Sequence, residues 1–474
     1  MYLPDVHSVP AHDDQGMLKN ERPNCGEDRR DPRLLLIVKT PMNAIDSVGG
    51  TLRNWFGDVP AGWLSQIYSD DRYAEHEIHY SSYHLGGEDR VLGRLFVRLK
   101  KVAQRTTMVF PPSCDGSDAP RNRLANFLRR LVAVLSQWLA NRGYWELLFP
   151  FRASRRLAKW LDDQHLSLIY AQGGDLTFLR VALYAQMHCH VPLWFHFADD
   201  WPATLYRQGP PYFIVRPLVQ HYLRRILKSS TRLICISDSM AESYGVRYHR
   251  VFEVLSPCCD AKAYVGLSPT RAVSPSVLSL VYSGSLYLGR PRVLAIVVSA
   301  LELLRERGVV AQLDIYTDHV PDGARLLLER TDMVNLHGAA EDKVAESLLR
   351  GADVLLMVEG FERRNMEMKQ LSLSSKIPFY LLANRPILVV GPATSGTVRD
   401  AQSKSWGTVV TELSAEAIAI AIVSATTPAN SSGLAEQQHR RMDALEYYST
   451  GRMRSQLAQW LSVDAALPSR TDSV

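Results

Sequence analysis

Residues 372–392, SLSSKIPFYLLANRPILVVGP, carry a turn, a helix and a strand in quick succession. Ser374-Ser375-Lys376 opens the apolar run 377–383, Asn384-Arg385-Pro386 stops it, and Ile-Leu-Val-Val follows at 387–390. A short, unbroken apolar run bounded by turn residues suits a strand buried on both faces, as in a parallel sheet covered by helices on either side. The start of the helix raises a chemical question as well. Hydroxyls and a cation at a helix N-terminus suit a phosphate group; equally, Ser374 or Ser375 could cap the helix while Lys376 is solvated.

The same alternation extends outward in both directions. Toward the C-terminus lies GTVVTEL, then helical sequence broken by TTPANSSG. Toward the N-terminus come ADVLLMV, a helix over 341–350, VNLHG, a helix near 321–330, AQLDIYT, a helix over 291–307 and LSLVYSGSL. A region rich in Pro, Ser, Ala and Gly at 256–277 reads as a linker. Before it, RLLLIVKT (33–40), LSQIYSDD, LSLIYAQGG, VPLWFHFADDW and TRLICISDS read as strands ending in polar or glycine turns. Helices are expected from Thr51 and over 175–189, and YHRVFEVLSP closes the series. The expectation is an α/β protein with two doubly wound, Rossmann-like domains facing a cleft, its working loops at the strands' carboxyl ends. The boundaries drawn are a disordered tail over 1–32, a first domain over 33–265, and a second over 266–474 that includes the C-terminal helices.

Composition limits the function classes. A chain of 474 residues, 46% hydrophobic and 22% charged, is globular and long enough for two to three domains. Its longest apolar runs, such as 34–38, fall far short of the roughly 18 residues a membrane span needs. The N-terminus is polar and acidic, unlike a signal peptide, so a cytoplasmic location is expected. The six cysteines (25, 114, 189, 235, 258, 259) show no ligand-like spacing and read as reduced thiols; a strained Cys258–Cys259 bridge is the alternative. Residues 121–160 hold nine Lys/Arg against Glu146 alone, interleaved with aromatics. That mixture suits an anionic membrane surface, here the inner face, or else a solvated helix face over a core. No nucleic-acid recognition module accompanies it.

In YSGSLYLGR, Gly284 and Ser285 stand at a strand end with Arg290 close behind, a weak phosphate signal alone. The series YSGSLYLGR…LDIYT…VNLHGAAEDKVAESLLRGADVLLMVEGF…SLSSKIPFYLLANRPILVVGP resembles the donor-binding half of the family-4 glycosyltransferases, retaining enzymes of the GT-B fold that use nucleotide sugars. CISDSMAESYGVRY…FEVLSP resembles the close of their first domain, and KTPMNAIDSVGG their first glycine-bearing loop. The resemblance covers roughly 33–460 and rests on the order and spacing of motifs that are individually unspecific.

The resemblance implies that Gly49 and Gly50 face the donor diphosphate from the first domain and Arg290 meets it from the second, with Glu359 a contact on the sugar side. It also places Ser374, Ser375 and Lys376 toward the donor. It implies a nucleotide-sugar donor, a glycan or lipid-linked acceptor, and no metal or other cofactor. Three positions depart from the family pattern. Ser285 stands where a second cation is usual, Phe379 where an acid would bind the donor ribose, and Ala198 where relatives keep a histidine before an acidic residue and Trp-Pro. His196 lies two residues earlier on the same strand. Asp199 and Asp200 remain as catalytic candidates, able to accept the acceptor's proton or stabilise charge at the anomeric carbon; their alternative role is a helix cap before Trp201-Pro202. Two rival functions share the fold: a sugar-nucleotide 2-epimerase, and a non-catalytic sugar-nucleotide or partner-binding protein that the three departures would fit.

Overall fold

The computed structural model describes residues 32–43, 47–70, 80–97, 135, 143–207, 212–260, 277–321, 323–339, 342–427 and 431–464. The expected tail, the linker over 261–276 and most of the basic segment, 121–134 and 136–142, lie outside the described residues.

Two all-parallel sheets organise the chain. In the first half β1 (Leu34–Ile37), α1 (Ser47–Phe56), β2 (Leu64–Tyr68) and β3 (Ser81–His84) come first. They are followed by α2 (Tyr144–Leu148), α3 (Arg155–Gln164), β4 (Leu168–Gln172), α4 (Leu176–Cys189) and β5 (Leu193–Phe197). Next come α5 (Trp201–Thr204), α6 (Tyr212–Ser229), β6 (Arg232–Cys235), α7 (Asp238–Tyr248) and β7 (Glu253–Val254). The strand order is β3-β2-β1-β4-β5-β6-β7. Every residue of β1 and β5 is buried, because helices cover both faces of a parallel sheet. Helix α1 begins at Ser47 rather than Thr51 and so takes Gly49 and Gly50 into its first turn. Asp175 caps α4 by accepting the N–H of Phe178 at 3.0 Å, as its place before the apolar run predicts.

The second half repeats the plan with β8 (Leu278–Ser283), α8 (Arg290–Glu306), β9 (Ala311–Tyr316), α9 (Ala324–Leu328), β10 (Val334–His337), α10 (Asp342–Gly351) and β11 (Val354–Val358). It continues through α11 (Arg363–Lys369), α12 (Ile377–Leu382), β12 (Ile387–Val390), α13 (Gly396–Lys404), β13 (Thr408–Val410) and α14 (Ala415–Thr426), and ends with α15 (Ser431–Tyr447) and α16 (Thr450–Asp464). Strand order here is β10-β9-β8-β11-β12-β13. This is the α/β architecture of two doubly wound domains that the alternation predicts.

The chain crosses between the halves twice, and the crossings are tied together. Cys259 donates its N–H to the Tyr448 carbonyl and accepts that of Thr450, at 3.1 and 2.9 Å. Helix α16 then returns to the first sheet, where Asp464 accepts hydrogen bonds from the Trp194 indole at 2.7 Å and from Arg232 at 2.9 Å. Trp460 packs edge-on against Trp194. Among the described residues the cysteines, 189, 235, 258 and 259, are free thiols, and burial pushes Cys258 up to about 12.

Candidate active site

The carboxyl ends of the two sheets face one another. Asp199, just past β5, accepts a hydrogen bond from the Ser372 hydroxyl of the other half at 2.6 Å, and Lys369 lies 3.9 Å from the same oxygen. Arg207 pairs with Glu367 at 2.8 Å, and Ser237 donates to the Leu371 carbonyl at 3.1 Å. These contacts frame a cavity of about 760 Å³ between the halves. Its first-domain wall is Asp199, Trp201 and the 204–207 turn; its second-domain wall is Leu288 and helix α11.

A second, small recess opens at the ends of β8 and β11. Gly284, Arg290, Glu359, Ser374 and Lys376 line it, so the structure gathers five sequence-predicted residues from three separate segments. Gly284 leaves room there, since a Cβ would come within 2.7 Å of the Tyr282 hydroxyl and 3.5 Å of Lys376 Cε. Gly289 is required more strictly: its φ is +78° and a Cβ would overlap the Glu362 carboxylate. That glycine lets the loop end where Arg290 begins α8.

Arg290 is held on three sides. It donates to the Val358 carbonyl at 3.2 Å, to Ser285 Oγ at 2.9 Å and to Glu359 Oε2 at 3.2 Å. Burial works to lower the Arg290 pKa, but Glu359, with Tyr282 and Tyr380 after it, outweighs that and holds the guanidinium above its ordinary value. Ser285, where relatives are expected to carry a cation, thus serves to orient this one. Glu359 is buried and also accepts from Thr397 at 3.4 Å, so it acts on Arg290 directly. Lys376 differs from Arg290. Its ammonium has no hydrogen bond or ion pair among the described residues, and burial, then the neighbouring Arg290 charge, push its pKa below the ordinary value against Asp318. Ser374 accepts the Lys376 N–H at 3.4 Å, a local turn contact, while α12 has no side-chain N-cap bond. Ser375 is half-buried. Phe379 stands 45% exposed on α12.

In the first half, Gly49 packs under the 41–43 loop, where a Cβ would overlap Asn43, and Gly50 borders open space. The three catalytic candidates separate. Asp199 has a side chain 61% exposed in the cleft. Asp200 is 6% exposed and fully engaged, accepting from the Tyr244 hydroxyl at 2.8 Å and from both Arg247 nitrogens at 2.7 and 3.0 Å. It makes no side-chain cap for α5, contrary to that alternative, because Tyr244 and Arg247 of α7 take both of its oxygens. His196 is wholly buried, with Nδ1 2.6 Å from the Tyr170 hydroxyl, and burial lowers its pKa to about 3. His196 therefore does not reach the cleft: β5 is buried along its whole length, because both faces of a parallel strand are covered.

Sequence reading missed the opposing wall, α11 with Arg364, Glu367 and Lys369. Its signals were the charge-rich run RRNMEMK, which has no periodicity to mark it, and the E-x7-E spacing of Glu359 and Glu367, which reads as coincidence because Glu367 is not followed by the family's glycine-proline turn. Among the described residues no group of three or more His, Cys, Asp or Glu side chains could hold a metal ion, and no helix is long and apolar enough to cross a membrane.

With the geometry in place, comparisons with known proteins are informative. Residues 86–253 match the family model described as glycosyl transferase 4-like domain. No curated protein matches the chain by sequence. Among solved structures, the chain is similar to HepE of Anabaena in complex with UDP and glucose, at 12% identity and TM-score 0.56, over 91% of this chain and 99% of that one. It is also similar to a UDP-forming α,α-trehalose-phosphate synthase from Burkholderia vietnamiensis, at 13% identity and TM-score 0.54, again over 91% and 99%. A glycosyltransferase from Rickettsia africae gives 10% identity and TM-score 0.56 over the same shares. At these identities the structures speak to the fold, and the family model to the first half. The chain thus carries a match to a glycosyl transferase 4-like domain in its first half, within two paired sheets of the GT-B fold.

Proposed function

We propose that the protein transfers a sugar from a nucleoside diphosphate to a hydroxyl-bearing acceptor, with retention at the anomeric carbon. One observation carries this reading: Arg290 and Lys376 are two largely buried cations in one recess, with Glu359 the only carboxylate lining it among the described residues. Like charges held out of water disfavour one another, and an anionic ligand relieves both the repulsion and the lost solvation. A diphosphate does so with several acceptor oxygens, which suits the bidentate Arg290 and the point charge of Lys376. The UDP bound by the similar HepE structure supports the same class of donor.

On this reading the two cations offset the leaving group's charge, so no metal is needed for that task. Gly49 and Gly50 close the donor side from the first domain, and Ser374 and Ser375 supply hydroxyls. Asp199 is the residue assigned to the acceptor, because its carboxylate alone of the three candidates reaches the cavity. A glycan or lipid-linked acceptor is the class proposed, with the basic segment 121–160 meeting an anionic membrane face. The test is release of nucleoside diphosphate from nucleotide sugars on adding acceptor. Asp199→Asn should lower kcat with donor KM nearly unchanged, since a charge needed mainly in the transition state leaves ground-state binding alone. Unaltered kcat in a folded Asp199→Asn variant would exclude that role.

A further inference from the structure

We infer that Ser372 is a positioning residue for Asp199: from the opposite half of the chain it holds one carboxylate oxygen and leaves the other for the acceptor. This deepens the proposed transfer reaction and rests on its assignment of Asp199 to the acceptor.

Asp199 lies between β5 and α5, lines the cavity and has a side chain 61% exposed. Among the described residues, the contacts of that side chain come from the second half, and both fall on one atom. Oδ1 accepts the Ser372 hydroxyl at 2.6 Å, and the Lys369 ammonium lies 3.9 Å from it. Oδ2 has no partner among the described residues. A bond of 2.6 Å from a hydroxyl to a carboxylate is of the short, charge-assisted class. A carboxylate fixed at one oxygen and open at the other presents one defined geometry to an acceptor hydroxyl, where an unheld side chain would present many.

Ser372 can hold Asp199 because it is itself held. It is buried, and the Ser237 hydroxyl grips the carbonyl before it, that of Leu371. From the other side Gly396, the first residue of α13, comes so close that a Cβ would lie 2.3 Å from the Ser372 carbonyl oxygen. Two residues on, Ser374 donates its N–H to Thr397 Oγ1 at 3.2 Å, and Thr397 donates in turn to Glu359, the partner of Arg290. One short turn therefore touches Asp199 at Ser372 and lines the recess proposed for the donor at Lys376. It sets the acceptor carboxylate in register with that recess.

The Ser372 hydroxyl also has a second acceptor, the Met368 carbonyl at 3.1 Å. A hydroxyl has one proton to give, so its strong bond goes to one of the two. With the halves together the charged oxygen is the nearer. With them apart, Met368 takes the bond and no buried donor is stranded. A contact made and broken at so small a cost suits positioning better than folding.

Two measurements on the full chain test this. In urea midpoints, Ser372→Ala and Asp199→Ala should not add: the shift caused by Ser372→Ala should largely vanish once Asp199 is alanine. The second is UDP release from UDP-glucose with water taking the sugar, a probe that does not depend on the natural acceptor. Ser372→Ala should lower kcat roughly tenfold with the KM for UDP-glucose within about twofold, the signature of misplacement rather than of lost binding. Ser372→Thr, which keeps the hydroxyl, should restore part of the rate, and Ser372→Ala should cost little more in an Asp199→Asn chain. Additive midpoints, or full turnover by Ser372→Ala where Asp199→Asn is impaired, would overturn the inference. Unimpaired turnover by Asp199→Asn, or no UDP release by wild type, would refute the underlying reading instead, and the midpoints would still decide whether Ser372 holds Asp199.

Discussion

Replacing Asp200 by alanine should unfold the protein more readily without touching the reacting groups, the reverse of what Asp199→Asn should do. Asp200 is 6% exposed, and its two oxygens accept three hydrogen bonds, one from Tyr244 and two from Arg247. Those bonds, with Asp200's charge, hold the Arg247 guanidinium above its ordinary pKa against burial. Deleting the carboxylate strands a buried tyrosine hydroxyl, at about 1–3 kcal/mol. It also strands an arginine, where breaking a buried pair costs about 3–5 kcal/mol. The Arg247 side chain is 36% exposed, so water recovers much of the second contribution. A net loss of about 3 kcal/mol is expected, a large share of the roughly 5–15 kcal/mol that ordinarily separates folded from unfolded states. Urea unfolding followed by circular dichroism reads it as a lowered midpoint, with Asp199→Asn as the paired control at about 1 kcal/mol or less. If Asp200→Ala unfolds like wild type, the structural role assigned to Asp200 is wrong.

Three further outcomes follow from the charges. Because burial, then Arg290, push the Lys376 pKa below its ordinary value in the free protein, UDP binding should take up protons wherever the free ammonium is partly deprotonated, and affinity should fall as pH rises through that pKa. Calorimetry in buffers of different ionisation enthalpy measures this, and Lys376→Ala should abolish it. Burial first, then Asp175, raise the Glu146 pKa to about 7, so the folded chain holds a proton that the unfolded chain has released above about pH 4.5. Stability should therefore fall as pH rises from about 4.5 to 7, by roughly 3 kcal/mol, and Glu146→Gln should flatten that slope in urea midpoints. The protein should sediment with anionic vesicles at low salt and be released near 1 M salt, where the screening length is about 3 Å; indifference to vesicles at low salt would remove the membrane role of 121–160.

The two-sheet plan was legible because buried parallel strands are written locally, as in RLLLIV and ILVV, and each is followed within a few residues by its turn. The recess proposed for the donor was legible for the same reason. Gly284, Arg290, Glu359 and Lys376 each sit just past a strand or at a helix start, where the fold collects ligands. Contacts between distant segments left no comparable trace. Asp464 meets Trp194 from 270 positions away, and no period in either segment announces it. Asp199 and Asp200 are adjacent and chemically identical, yet one faces the cleft and the other faces α7. That difference depends on where Arg247, 47 positions on from Asp200, is carried by its helix.

Titration of UDP into the wild-type chain and into Arg290→Ala tests the donor recess most directly. The account predicts saturable binding by wild type and a loss of about ten- to a hundredfold in the variant, the equivalent of one charge-assisted contact worth about 1.5–3 kcal/mol. Equal affinities in two folded proteins, or no binding by wild type, would contradict it.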